Sequence, residues 1–317
     1  MATYKDIKGT SIEVVSSDPS NPVIGQIWYN TTSQTLKGLE FGAAAWSTGG
    51  NMTTARISLG GAGTQTASLA FGGTQTPNAT EEYNGSTWTN GGNMGTGRIY
   101  VAGDGTQTAA LAMGGAPTPN ATEEYNGSSW TAGGNLIKGK SFTSGGAGTQ
   151  TAGLFFGGDP ISTPSTEEYN GSSWTAGGNL VHNTEKCSGA GTQTAALSIG
   201  GGDSTSQTSQ EYNGTSWTNG GSLGTQKGYV AGMGLQTAAL AAGGTSPSTT
   251  YLSATQEYDG SSWTAGAAMN IGRTKLPGAG TTTAGIVFGG NAPDGNETTA
   301  TEEFTGAGPV SVTLSGS

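Results

Sequence analysis

Apolar residues come in short runs that end on a glycine pair, and the runs recur as LAFGG, LAMGG, LFFGG, LSIGG, LAAGG and IVFGG. The second glycines are Gly73, Gly115, Gly158, Gly201, Gly244 and Gly290, at intervals of 42, 43, 43, 43 and 46 residues. Ten to fourteen residues after each pair stands an aromatic: Tyr83, Tyr125, Tyr169, Tyr212, Tyr258 and Phe304. Five residues beyond the tyrosines stand Trp88, Trp130, Trp174, Trp217 and Trp263, whereas the sixth unit has Pro309 there. Residues 11–50 hold a partial copy, with Phe41 and Trp46 at the same spacing.

Residues 97–132 predict four short strands: RIYVAGDG, TAALAMGG, ATEEY and SSWTAGG. Gly-Thr-Gln and Asn-Gly supply the turns, and both residues of Asn-Gly are expected at positive φ. In the second strand Leu111 and Met113 share one face, and Ala110 and Ala112 share the other. A bulky apolar face next to a small apolar face suits face-to-face packing of successive sheets. Radial packing of four-stranded units with this period is a β-propeller. The chain is therefore expected to be all-β, with seven blades: 1–10 a tail, 11–50 a divergent first blade, 51–317 the rest. The alternative is six blades, with the N-terminal segment as a separate docking hairpin or anchor.

Composition narrows the function. Glycine supplies 59 of 317 residues, which disfavours helices, and no apolar run is long enough for a membrane helix. The net charge of −10 argues against a nucleic-acid partner. The single Cys187 cannot form an internal disulfide. The N-terminus, MATYKDIKGTSIEVVSSDPS, has no apolar signal core, so synthesis in a cytoplasm without secretion is expected.

The order of apolar run, Gly-Gly, Tyr and Trp resembles kelch repeats, with a shorter gap between Tyr and Trp than kelch units usually have. The stretch NPVIGQIWYNTTSQTLKG resembles a segment of virion structural proteins (tail, fibre or head-surface proteins) of tailed bacteriophages, notably marine ones. These resemblances imply a virion location and contact with other virion proteins through the N-terminal segment.

Candidate chemistry is sparse. His182 is the only histidine, so a His-based metal site has no second ligand, and neither metal nor cofactor is expected. His182 and Cys187 lie five residues apart, but no third group orients them as a nucleophilic pair. The pairs Glu81-Glu82, Glu123-Glu124, Glu167-Glu168 and Glu302-Glu303 put adjacent carboxylates on opposite strand faces and read as solvated charge. The repeated Trp and Tyr read as packing between outer strands.

The basic residues are the sharpest feature. Beyond residue 40 they are Arg56, Arg98, Lys138, Lys140, Lys186, Lys227, Arg273 and Lys275, all in connectors between units. Five of them stand ten residues after a tryptophan. Arg56, Arg98, Lys140, Lys186, Lys227, Arg273 and Lys275 are expected either to pair with glutamates of an adjacent blade or to form a cationic ring for an anionic ligand. Three functions compete. The first is a non-enzymatic virion protein that attaches to host-surface polysaccharide or an acidic partner, its variable loops carrying specificity. The others are an intracellular kelch-type scaffold and a glycan-active enzyme, for which no carboxylate pair or Tyr/His set stands out.

Overall fold

The computed structural model describes residues 12–141, 145–158, 164–201, 207–225, 227–247 and 251–314. The 1–10 tail and parts of the variable loops after Gly158, Gly201 and Gly244 lie outside the described residues. Two compact units result, one of residues 45–305 and one of 1–44 with 306–317.

The smaller unit holds β1 (Glu13–Val15), β2 (Ile27–Asn30) and β3 (Thr35–Gly42). The larger begins at β4 (Ala45–Thr48). Its first blade is β5 (Gly60–Thr64), β6 (Ala67–Phe71), β7 (Thr80–Tyr83) and β8 (Trp88–Asn90). Blade 2 is β9 (Ala102–Thr106), β10 (Ala109–Met113), β11 (Thr122–Tyr125) and β12 (Trp130–Ala132). Blade 3 is β13 (Gly145–Thr149), β14 (Ala152–Phe156), β15 (Thr166–Tyr169) and β16 (Trp174–Ala176). Blade 4 is β17 (Ser188–Thr192), β18 (Ala195–Ile199), β19 (Thr208–Tyr212) and β20 (Trp217–Ser222). Blade 5 is β21 (Ala231–Leu235), β22 (Ala238–Ala242), β23 (Thr255–Tyr258) and β24 (Trp263–Ala265). Blade 6 has β25 (Gly278–Gly280), β26 (Ala284–Phe288) and β27 (Thr301–Thr305), and the smaller unit ends with β28 (Gly308–Thr313).

The seven four-stranded sheets read from the sequence are present. Six of them form the propeller, with inner strands β5, β9, β13, β17, β21 and β25 each against the next and β25 against β5. Blade 6 takes its outer strand from β4, which pairs with β27. The seventh sheet, in the order β1-β2-β3-β28, belongs to the smaller unit. Residues 11–50 are thus divided between the units and do not make one blade. Trp46 is the missing tryptophan of the sixth repeat: it pairs with Phe304, while the exposed Phe41 pairs with Pro309.

Small-against-bulky packing holds the blades together. Leu69 and Phe71 of blade 1 cluster with Ala110 and Ala112 of blade 2, all buried. At one glycine position of the inner strands a Cβ would crowd the neighbouring strand. On Gly103 it would lie 2.6 Å from the Gly61 carbonyl oxygen, on Gly232 2.9 Å from that of Gly189, and on Gly189 it would overlap that of Gly146.

The Asn-Gly turns differ from expectation. Glycines 85, 127, 171, 214 and 260 have positive φ, but the preceding Asn or Asp does not. Each loop has four residues, because the Asx side chain caps it. Asn84 Oδ1 accepts from the Ser86 and Thr87 amides at 3.0 and 2.9 Å, and Asp259 does the same.

Three polar links tie each blade to its predecessor. The Trp Nε1 donates to a Thr or Ser hydroxyl of the preceding third strand at all six junctions, as in Trp130 to Thr80 at 2.9 Å and Trp46 to Thr255 at 3.2 Å. The Gln after the first strand donates to two preceding-blade carbonyls, as Gln107 does to Ser68 and Tyr83. The Tyr hydroxyl donates to a preceding-blade glutamate at 2.5–2.6 Å: Tyr83 to Glu303, Tyr125 to Glu82, Tyr169 to Glu124, Tyr212 to Glu168 and Tyr258 to Glu211. At the junction of blades 5 and 6 the Tyr is Phe304 and the Gln is Thr282, and only the Trp46 link of the three remains.

Phe304→Tyr should restore a hydroxyl bond to Glu257. The expected gain is about 1 kcal/mol, read as a higher urea midpoint. Tyr125→Phe should lower that midpoint by a similar amount.

Candidate functional site

The connector entering each inner strand carries the predicted cations, and five of the seven are sealed inside the protein. Arg56, Arg98, Arg273 and Lys227 have no exposed surface, and Lys140 has 1%. Arg56 Nη2 meets Glu81 at 2.7 Å, Arg98 meets Glu123 at 3.0 Å, and Arg273 meets Glu302 at 2.8 Å. The other guanidinium nitrogen donates to two carbonyls of the same blade, as Arg98 does to Gly114 and Ala121. Lys140 donates to the Ser165 carbonyl and Lys227 to that of Ala254. These five cations therefore cannot meet an anionic ligand. The glutamate partners of the three arginines lie on the third strand of the same blade and not on an adjacent blade as expected, because the connector folds back over its own sheet.

The glutamate pairs are likewise structural. The first of each pair is buried and binds its own blade's connector. Glu81 accepts from the Thr53 amide, Glu123 from Gly95, Glu167 from Ile137 and Glu302 from Asn270. The second reaches the tyrosine of the next blade. Neighbouring strand residues do point to opposite faces, but neither carboxylate is simply solvated, because each face packs against protein.

Arginine is paired with glutamate in blades 1, 2 and 6, and the other blades depart from that pattern. Blade 4 has Thr184 where the others have Arg or Lys, and Gln210 where most have Glu. Blade 5 has Lys227 facing Gln256, with no carboxylate partner, and burial lowers this lysine to about 8. Burial likewise lowers Lys140 to about 8 despite the nearby Glu167. The tyrosine hydroxyls of Tyr83, Tyr125, Tyr169, Tyr212 and Tyr258 are raised to about 12, first by burial and then by the glutamate each one bonds.

Lys186 and Lys275, the two remaining predicted residues, are half-buried and belong to a different arrangement. Two residues beyond the sealed position the backbone turns left-handed in the described blades: Ser58 at φ 57°, Tyr100 at 58°, Lys186 at 61°, Tyr229 at 54° and Lys275 at 56°. Among the described residues four hydrogen bonds join their main chains into an arc of the circle of blades. The Ser58 amide donates to the Lys275 carbonyl, Tyr100 to Ser58, Tyr229 to Lys186 and Lys275 to Tyr229. Lys186 Nζ lies 5.9 Å and Lys275 Nζ 5.5 Å from the Tyr229 ring centre. Glu185 pairs with Lys186 at 2.7 Å. Burial raises the Tyr229 hydroxyl, and Lys186 opposes the rise. Tyr100 and Tyr229 escaped sequence reasoning; their place two residues after the Arg or Lys position was the available signal.

His182 and Cys187 do not form a nucleophilic site. Cys187 is fully buried, and burial raises its thiol. The His182 main chain is held by Gln210 through both its amide and its carbonyl. The Gly-Gly pairs lie beside the next connector: the Gly73 amide donates to the Arg98 carbonyl, and Gly115 to Lys140.

Arg98→Ala should destabilise the fold by about 3–5 kcal/mol, because it strands Glu123 in the interior. The double variant Arg98→Thr, Glu123→Gln copies blade 4 and should recover most of that loss in denaturant titration. Reversing the charge of Lys140, Lys227 and Arg273 should unfold the propeller, so those residues cannot serve as binding probes.

Alkaline unfolding should be steep. The tyrosine hydroxyls ionise near 10 when unfolded and near 12 when folded. Their stabilisation is full below pH 10 and is lost as pH rises towards 12. Tyr125→Phe should flatten that part of the stability profile.

No family model matches the chain, and no curated protein matches it. Among solved structures, one titled "Structure of YjhT" superposes with a TM-score of 0.68 at 11% identity, covering 82% of this chain and 99% of that one. At that identity the likeness shows the propeller fold alone.

Proposed function

We propose that this chain is a non-enzymatic virion component of a tailed bacteriophage, a kelch-like propeller displayed on the particle for host-surface attachment or decoration. One observation carries the binding part of this reading. A left-handed backbone favours glycine, and the chain has 59 glycines. Yet Ser58, Tyr100, Lys186, Tyr229 and Lys275 occupy the circle of left-handed positions. Side chains kept where the backbone asks for glycine point to a use for those side chains. They also differ between blades, as a recognition surface requires and a packing device does not. Two lysines over the one Tyr229 ring suit an acidic surface polysaccharide or an acidic partner protein.

The smaller unit supports a docking role towards other virion proteins. Its Trp28 and Asn30 donate to Asp18 at 3.0 and 2.7 Å, and Lys37 pairs with the same carboxylate at 2.7 Å. This explains the Ile-Trp-Tyr-Asn and Leu-Lys pattern as one hydrogen-bonded node. The structural use of the paired glutamates and the burial of Cys187 support the non-enzymatic part of the reading.

The reading is tested by particle adsorption. Purified chain should compete with phage for host cells, and antibody to the chain should label particles. Lys186→Glu with Lys275→Glu should abolish competition while the melting temperature stays near that of the parent. Competition by the double variant equal to the parent's would remove the circle from the attachment surface. Unlabelled particles would remove the virion assignment.

A further inference from the structure

Each inner strand is the edge of its four-stranded sheet, so its unpaired backbone groups turn towards the propeller axis. Between these strands lies a cavity of about 260 Å³, lined chiefly by glycine and alanine of β5, β9, β13, β17, β21 and β25. Asp104 is the only charged residue among its lining residues. At the same position the other blades carry Ala62, Ala147, Ala190, Met233 and Ala279. The repeat thus fits an apolar residue here, and Asp104 departs from it.

The carboxylate lacks a protein partner. Its Oδ2 is buried without a hydrogen bond, and among the described residues Asp104 belongs to no ion pair. Its strand-pair neighbour is Leu111, and a Cβ on Gly146 would lie 2.6 Å from Oδ2 and 2.9 Å from the Met113 methyl. Cys187 is the other titratable residue lining the cavity. Burial alone raises the Asp104 carboxyl well above the usual range. Asp104 as a residue is half-buried, but its Oδ2 is sealed from water, and a sealed carboxylate oxygen favours a counter-charge.

We propose that the axial cavity binds a monovalent alkali cation on the Asp104 carboxylate. Hard cations take oxygen ligands. The inner-edge carbonyl oxygens of Gly61, Gly146, Gly189 and Gly232 each lie against the next inner strand, so the further ligands are waters held in the cavity. One carboxylate among neutral lining residues is balanced by a single positive charge, whereas a divalent ion would leave an excess. The volume admits the ion with several waters, each needing about 30 Å³.

The test is the melting temperature of the full chain at pH 7.5 and constant ionic strength, with sodium or potassium chloride replacing choline chloride. A saturable rise of several degrees is expected. Asp104→Ala, which installs the residue four other blades carry, should fold and lose the rise. Equal melting temperatures in choline and both alkali salts, or the same rise in Asp104→Ala, would overturn the proposal. So would a choline-salt melting temperature that climbs as pH falls to 5 while alkali ions add nothing, because a proton would then be the counter-charge. Crystals soaked in a thallous salt should show an anomalous peak within coordination distance of the Asp104 carboxylate, and the lack of one would also refute the site.

Discussion

Six strands can converge on one axis only where nothing projects between them. One equivalent position of the inner strands meets that condition as glycine: Gly61, Gly103, Gly146, Gly189, Gly232 and Gly278. A single methyl group at Gly189 would collide with the carbonyl of the neighbouring strand. The close approach at the centre fixes how far apart the blades splay, and hence the space that Leu69, Phe71 and their equivalents must fill further out. These glycines are thus a packing requirement of the axis, whereas others, such as Gly85 and Gly127, serve positive-φ turns.

Because the inner parts of the blades are small and apolar, orientation comes from polar groups. Indole, carboxamide and phenol groups each reach back to the blade before. The buried Arg–Glu pairs act within a blade and clamp the incoming connector to the third strand. Such pairs contribute less to net stability than to geometry, since desolvation offsets most of the attraction. Blade 4 does without one and folds the same way, with Thr184 and Gln210 in place of the ions.

Fold class, strand positions and the bulky-against-small face rule were legible because they follow from local periodicity. The partner of Trp46 was not. Its five-residue distance from Phe41 copies the repeat, yet its pairing with Phe304 spans nearly the whole chain, and no local pattern reports such a contact. The fate of the basic residues was hidden for a related reason. Their positions in the connectors were readable, but solvent exposure depends on the third strand folding over them. The Gln-Glu variants at 210–211 and 256–257, set beside the Glu-Glu pairs, were the trace of that burial. Tyr100 and Tyr229 were missed because a left-handed φ at a tyrosine leaves no mark in composition, and only their spacing from Arg98 and Lys227 pointed to them.

The junction between blades 5 and 6 has a consequence for how the ring assembles. Blade 6 is also the blade completed by β4, so its outer strand waits for a chain segment from the far end of the unit. Closing so long a loop carries the largest entropy cost in the propeller. Blades 1 to 5 each grow from contiguous sequence and dock on a neighbour through three links. Nucleation belongs to them, and the sixth sheet is the keystone set last, on the side where the fewest bonds resist its removal.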